Sequence, residues 1–270
     1  MHKSGLAILF SLAMIVLASC SKKESFGNIE ILGHGGNGLE IINALYHDNS
    51  LESIELALLT DGCDGVELDV RLSADGTLWL FHDNELDDSS NGQGCVETST
   101  DVYLSGLHYA TVDQEKLIRL EDIPKSYLAN KKVYIDGRSS ISCTNSTADM
   151  TSFINRLLDF QASCLSSTEI IVESRNDQWE AAIAAAGFTT IKFVTDFEQY
   201  PAIVAALPTV DIIVATNETI TKENVTQIHN DGREVIIFGM RSAKSTRAAY
   251  GKNPDGILAD NLRTAIIERN

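Results

Sequence analysis

From Ile29 onward the chain alternates between short apolar runs of strand length and longer amphipathic runs of helical period, and few architectures accept that order. Strands are expected near 29–33, 65–70, 78–82, 132–136, 169–173, 190–194, 211–215 and 235–239. Helices are expected near 51–60, 120–129, 148–163, 178–186, 199–206, 221–231, 243–250 and 262–268. Strands that alternate with helices pair in parallel, each helix serving as the crossover. Eight of each predict a single-domain α/β fold, a (β/α)8 TIM barrel, with a doubly wound open sheet as the fallback. One place breaks the alternation. Asp75-Gly76 is a hairpin signal, so the run at 78–82 reads as the second arm of an excursion from the barrel rim.

That hairpin also carries the densest chemistry. Between Gly65 and Leu72, Val66, Leu68 and Val70 alternate with Glu67, Asp69 and Arg71, and a period of two sends Glu67 and Asp69 to the same face. A two-residue type I′ turn at Asp75-Gly76 would place His82 directly across from Asp69. Charged residues on an exposed strand face are ordinary. Two carboxylates and an imidazole converging on one patch are not, because the like charges repel unless a cation neutralises them.

Further candidates stand at predicted strand ends, where barrels place their active sites. His34 follows the first strand, Asp136 and Arg138 end the strand at 132–136, Arg175 follows the next, and Phe238 and Arg241 lie at the end of 235–239. The long segments 35–50 and 84–119 follow strands on that same side, and loops of such length are uncommon unless they function. His47, His108 and His229 have no comparable company and read as loop or surface residues.

Glu67-Leu68-Asp69-Val70, Asp75-Gly76 and His82-Asp83, with their spacing, resemble the signature of the glycerophosphodiester phosphodiesterases. The closing Gly256-Ile-Leu-Ala-Asp-Asn261 is similar to the family's Gly-Ile-Ile-Thr-Asp-Asn, with Ala259 as a departure. The resemblance spans Ile29 to Ile266. It implies a barrel enzyme that hydrolyses a phosphodiester to an alcohol and a phosphomonoester such as glycerol 3-phosphate, with His34 and His82 sharing general acid and base duty. It also implies Asp136 as a third metal carboxylate beside Glu67 and Asp69. Such an all-oxygen set suits one Mg²⁺ or Ca²⁺ and not Zn²⁺. Phe238 occupies the place of a family Trp near the substrate. The family's His-Arg-Gly reads His34-Gly35-Gly36 here, and its Glu-Asn-Thr reads Asp48-Asn49-Ser50. Arg138, Arg175 and Arg241 are expected to grip the substrate phosphate in place of the missing arginine. Those departures keep open a non-catalytic surface barrel that binds a phosphorylated or sugar ligand. A metal-independent lyase on the same barrel would not need the three carboxylates together.

The first residues read separately. His2 and Lys3 precede an apolar run from Leu6 to Ala18, and Leu17-Ala18-Ser19-Cys20 resembles a lipobox. Residues 1–19 are therefore expected to be a lipoprotein signal peptide, Cys20 the lipidated residue and 20–28 a tether to a bacterial envelope membrane, with 29–270 as the barrel domain. The 270-residue chain has 21 basic and 38 acidic side chains, a net charge of −17, and loss of residues 1–19, with their single lysine, makes it −18. Nucleic acid and anionic membrane surfaces are poor partners for such a chain, and a small phosphodiester is the expected one. Cys63, Cys95, Cys143 and Cys164 lack Cys-x-x-Cys spacing, and export permits disulfides whose pairing among three possibilities is open.

Overall fold

The computed structural model of the protein describes residues 26–39, 45–140, 143 and 149–270; the lipobox with Cys20 lies outside them. Among the described residues nine strands follow the chain: β1 (Glu30–Gly33), β2 (Gly65–Leu72), β3 (Leu78–Leu80), β4 (Lys132–Gly137), β5 (Glu169–Ser174), β6 (Thr189–Val194), β7 (Ile212–Thr216), β8 (Glu234–Phe238) and β9 (Gly256–Ala259). Eight of them close a parallel barrel in the order β1, β2, β4, β5, β6, β7, β8, β9, and β1 pairs with both β2 and β9. Among the strands β3 pairs with β2, antiparallel, and its Trp79 bridges to Arg119 on the other side. The arm at 78–80 is thus the excursion, and the eighth barrel strand is Gly256–Ala259, four residues too short to show a period of their own.

The helices are α1 (Leu51–Leu58), α2 (Asp101–Leu104), α3 (Met150–Ser163), α4 (Asp177–Ala185), α5 (Tyr200–Ala206), α6 (Lys222–Asn230), α7 (Ala243–Tyr250) and α8 (Leu262–Arg269). Side-chain oxygens cap most of their starts. Ser50 accepts from the Ser53 amide, Asp149 from Thr151 and Ser152, and Asn176 from Gln178 and Trp179. The helix expected at 120–129 is instead two 3₁₀ turns, Leu120–Asp122 and Lys125–Leu128. Pro124 lies between them, and its ring bars Ile123 from helical backbone angles.

Three apolar clusters divide the work. Leu32, Tyr134, Ile171, Ile191, Ile212 and Ile236 fill the barrel interior. A larger cluster, including Ile54, Val66, Leu68, Ile135, Phe153 and Ile237, joins the strands to the helices. Trp79, Phe81, Leu86, Leu104, Tyr109 and Leu117 give the excursion a core of its own. Asp101 ties that excursion to the hairpin by accepting from Ser73 Oγ and Trp79 Nε1, at 2.7 and 2.9 Å, and from Thr77 Oγ1. Cys95 and Cys143 form a disulfide from the excursion to the segment after β4, while Cys63 is buried beside β2.

The hairpin register differs from the expectation by one residue. Val70 pairs with Leu80, Arg71 with Trp79 and Leu72 with Leu78, and Phe81 donates its amide to the Asp69 carbonyl at 3.0 Å. The turn is three residues long, with Ser73 bonded to Thr77 and only Gly76 at positive φ, +79°. A type I turn closed by a left-handed glycine replaces the two-residue turn that needs two such residues. Phe81, not His82, therefore faces Asp69 across the ladder.

Candidate active site

The C-terminal ends of the barrel strands gather the charged residues in one mouth. Glu67 and Asp69 rise from β2 and Asp136 from the neighbouring β4, where Asp69 and Asp136 are in register. One oxygen from each of the three lies within 4.8 Å of the others, and all three side chains are buried. Burial pushes the Glu67 carboxyl well above the usual range, and the charges of Asp69 and Asp136 push it further. Asp69 is raised too, by burial and then by Asp136.

Each carboxylate is held from behind. The Gly35 amide donates to Glu67 Oε2 at 2.9 Å. Asn49, fully buried at a φ of +61°, donates from Nδ2 to Asp69 Oδ2 at 2.8 Å and accepts from the Asp69 amide at 2.9 Å. The Asp48-Asn49-Ser50 stretch thus clamps a site carboxylate with its second residue and caps α1 with its third. Asp136 Oδ2 accepts from Arg138 Nη1 at 3.1 Å and from Arg175 Nη2 at 2.9 Å, while its buried Oδ1 has no hydrogen-bond partner among the described residues. An orphaned carboxylate oxygen beside two buried neighbours of like charge fits a divalent cation, and Glu67, Asp69 and Asp136 would hold it.

Two imidazoles flank the cluster. His34 Nδ1 bonds Asp260 Oδ1 at 2.7 Å, which leaves Nε2 3.9 Å from Glu67 Oε2. Asp260 was not among the residues singled out from sequence. The Asp260-Asn261 pair after β9 is the signal that could have found it, since β9 lies beside β1. His82 Nδ1 bonds Asp83 Oδ1 at 2.8 Å and its Nε2 lies 3.1 Å from Arg138 Nη2. The Asp83 bond is the main reason the His82 imidazole is raised above its ordinary value, against burial, and it holds the Asp83 carboxyl down to about 2. His82 reaches the site despite the shifted register because its backbone is gripped from below: fully buried Arg71 donates to the His82 carbonyl at 3.1 Å while pairing with Glu97 at 2.7 Å.

The arginines separate. Arg138 stands 3.6 Å from Asp69 Oδ1, and Arg175 spans Asp136 and Glu173, the latter at 3.4 Å. Arg241 is exposed, three residues past the end of β8. Gly35, at a φ of +59°, would bring an added Cβ within 2.6 Å of Asp48 Cβ, so this backbone resists an arginine side chain where the family has one. Phe238 packs edge-on to His34 and against Phe193, with centroids 6.2 and 5.3 Å away. Glu173 and Tyr134, also missed from sequence, complete the lining; Tyr134 donates its hydroxyl to Glu173 Oε2.

Known proteins resemble this chain in sequence and in fold. A Mycobacterium tuberculosis protein named "Probable glycerophosphodiester phosphodiesterase 1" is 47% identical over 62 residues, 23% of this chain and 22% of its own length. A Bacillus altitudinis glycerophosphodiester phosphodiesterase is 42% identical over 55 residues, 20% of this chain and 22% of its own length. The aligned part is thus about a fifth of these curated relatives. Among solved structures, an Agrobacterium tumefaciens glycerophosphodiester phosphodiesterase superposes with a TM-score of 0.71 at 22% identity, over 89% of this chain and 99% of that one. An Oleispira antarctica phosphodiesterase in complex with the product sn-glycerol-3-phosphate superposes with a TM-score of 0.73 at 17% identity, over 88% and 96%. These likenesses establish the barrel. The family model for the glycerophosphoryl diester phosphodiesterases matches residues 34–264, from the first site histidine to α8, and the chain belongs to that family.

Proposed function

We propose that the protein hydrolyses phosphodiesters in a metal-dependent reaction, releasing an alcohol and a phosphomonoester such as glycerol 3-phosphate. The observation that carries this reading is the convergence of Glu67, Asp69 and Asp136 within 4.8 Å, flanked by two histidines each backed by an aspartate. A divalent cation held by those carboxylates would neutralise phosphoryl oxygens and the charge that develops on them. Arg138, bonded to Asp136 and His82, adds a fixed donor beside the same position. The aspartates engage each imidazole at Nδ1; His34 Nε2 lies at the mouth and His82 Nε2 meets Arg138, so each would move a proton to or from a substrate oxygen through Nε2, His82 once substrate displaces that contact. The pair Arg138 and Arg175 compensates for the absent family arginine.

One observation favours the second reading, a binder without turnover. Two guanidinium groups already pair with Asp136, so part of the cluster's charge is balanced without a metal. A screen of glycerophosphodiesters with and without EDTA separates the two. Hydrolysis abolished by EDTA and restored by Mg²⁺ or Ca²⁺ is expected. Binding with no turnover at any cation concentration would favour the binder, and turnover indifferent to EDTA the lyase.

We further propose attachment to a bacterial envelope membrane through a lipid on Cys20. The lipobox-like Leu17-Ala18-Ser19-Cys20 after an apolar run supports this reading; among the described residues no helix is long and apolar enough to cross a membrane. Cys20→Ser should release the protein from the detergent-soluble fraction or leave residues 1–19 uncleaved. A mature wild-type N-terminus of unmodified mass would refute the anchor.

A further inference from the structure

One buried carboxyl lies outside the mouth altogether. Glu180 belongs to the helix layer, on α4 where it packs against β5 and β6, and it is almost fully buried. Its Oε1 has no hydrogen-bond partner among the described residues. Burial pushes the carboxyl up to about 8, so near neutral pH it is largely a neutral acid. A leucine would fill such a place without the cost of burying a polar group. What the carboxyl does there is accept the Ser174 amide on Oε2, at 2.9 Å.

Ser174 is fully buried at the end of β5, one residue past the last pairing of that strand with β6, Glu173 with Ile191. A buried amide and carbonyl that leave a ladder need other partners. Here side chains supply both: Glu180 takes the amide, and Lys192 Nζ donates to the carbonyl at 3.1 Å and to Asp177 Oδ1 at 2.9 Å. Asn176 donates its amide to Ser174 Oγ at 3.2 Å and caps α4 with its side chain. Arg175 thus stands between two pinned neighbours. Its guanidinium lines the mouth, with Nη2 2.9 Å from Asp136 Oδ2 and the Phe193 ring 5.4 Å beneath it. Strand β6 therefore holds this arginine from two sides, because Phe193 faces the mouth under the guanidinium while Lys192, next in the strand, points to the helix layer and fixes the backbone.

We infer that Glu180 and Lys192 are positioning residues: by holding the Ser174 amide and carbonyl from the helix layer, they aim the Arg175 guanidinium at the place beside Asp136 where a substrate phosphoryl group docks. This rests on the proposed phosphodiesterase reading, in which Arg175 supplies part of the positive charge that the family's arginine would. A long side chain can keep one orientation only if its own backbone is fixed, and a displaced guanidinium loses its hold on phosphoryl oxygens steeply.

Glu180→Leu, Glu180→Gln and Lys192→Met, each alone and combined with Arg175→Ala, test it through hydrolysis of glycerophosphoethanolamine in Mg²⁺ and through crystal structures of the single variants. Arg175→Ala, Glu180→Leu and Lys192→Met should each lower kcat/KM by about tenfold. Once Arg175 is alanine, the other two should cost less than about twofold more, because all three act through one group. In the structures of Glu180→Leu and Lys192→Met the guanidinium should be turned away from Asp136. Glu180→Gln, whose amide oxygen still accepts the Ser174 amide, should keep both the rate and the contact. Ile183→Val, at a buried apolar residue of α4, should lower stability and leave the rate alone. Losses that persist in full beside Arg175→Ala, a Glu180→Gln as slow as Glu180→Leu, an equal loss in Ile183→Val, or an Arg175 still seated on Asp136 would overturn the inference. If Glu180→Leu does not fold, Lys192→Met decides it. A wild type that cleaves nothing with Mg²⁺ or Ca²⁺ would instead remove the phosphodiesterase reading, and the structures would still decide whether this pair aims Arg175.

Discussion

The two halves of the barrel mouth are built on the same strands in the same parallel order, yet they differ completely in chemistry. β2, β4 and β5 end in Glu67, Asp69, Asp136, Arg138, Glu173 and Arg175, whereas β6, β7, β8 and β9 present Phe193, Val214, Phe238 and Leu258. The charged half concentrates like charges at a cost that burial makes severe, as the raised carboxyls of Glu67 and Asp69 show. The apolar half adds no chemistry of its own. It lowers the local dielectric, which strengthens every interaction opposite. The histidines fit this division: His34 sits at the seam, packed edge-on to Phe238, and His82 hangs over the charged side from the hairpin.

If the halves are so divided, substitutions in them should differ in kind as well as in size. The largest losses belong to the imidazoles: His34→Ala and His82→Ala should each lower kcat by about 10²–10⁴-fold while the protein stays folded. Near wild-type rates in both would dissolve the distinction. On the apolar side, Phe238→Leu should act mainly on KM, by roughly tenfold or less, because it removes contact area and no reacting group. A fall in kcat matching that of the histidine variants would show that the ring does more than pack. A smaller effect is a displacement in pH. Asp83 raises His82, so Asp83→Asn lowers the imidazole's pKa and should move the limb of the pH–rate profile set by His82 to lower pH, whether that group works protonated or not. A limb that stays in place would take His82 out of the profile.

The charged half was far more legible in the sequence than what surrounds it. Strand period alone puts Glu67 and Asp69 on one face, and strand ends mark His34, Asp136 and Arg175, because local geometry decides those positions. The hairpin register was missed by one residue, since Asp-Gly serves two turn types and only the left-handed Gly76 inside a three-residue loop tells them apart. Partners distant in sequence were invisible. Asp260 lies 226 positions from the His34 it orients, and the Cys95–Cys143 link joins two irregular segments that no periodicity marks. Glu173 looked like an ordinary strand residue until Asp136 and Tyr134 appeared beside it.

The central claim is that the charged half exists to hold one divalent cation. Titrating Mg²⁺ and Ca²⁺ into the metal-free wild type and into Asp69→Ala by calorimetry tests it most directly, run at several pH values. Because burial and mutual repulsion raise Glu67 and Asp69, protons compete with the cation for these carboxylates, so affinity should increase as pH rises through their titration. The account predicts one saturable site in the wild type, weakened at lower pH and lost in Asp69→Ala. Equal heats from the two proteins, or no binding by the wild type at any pH, would contradict it.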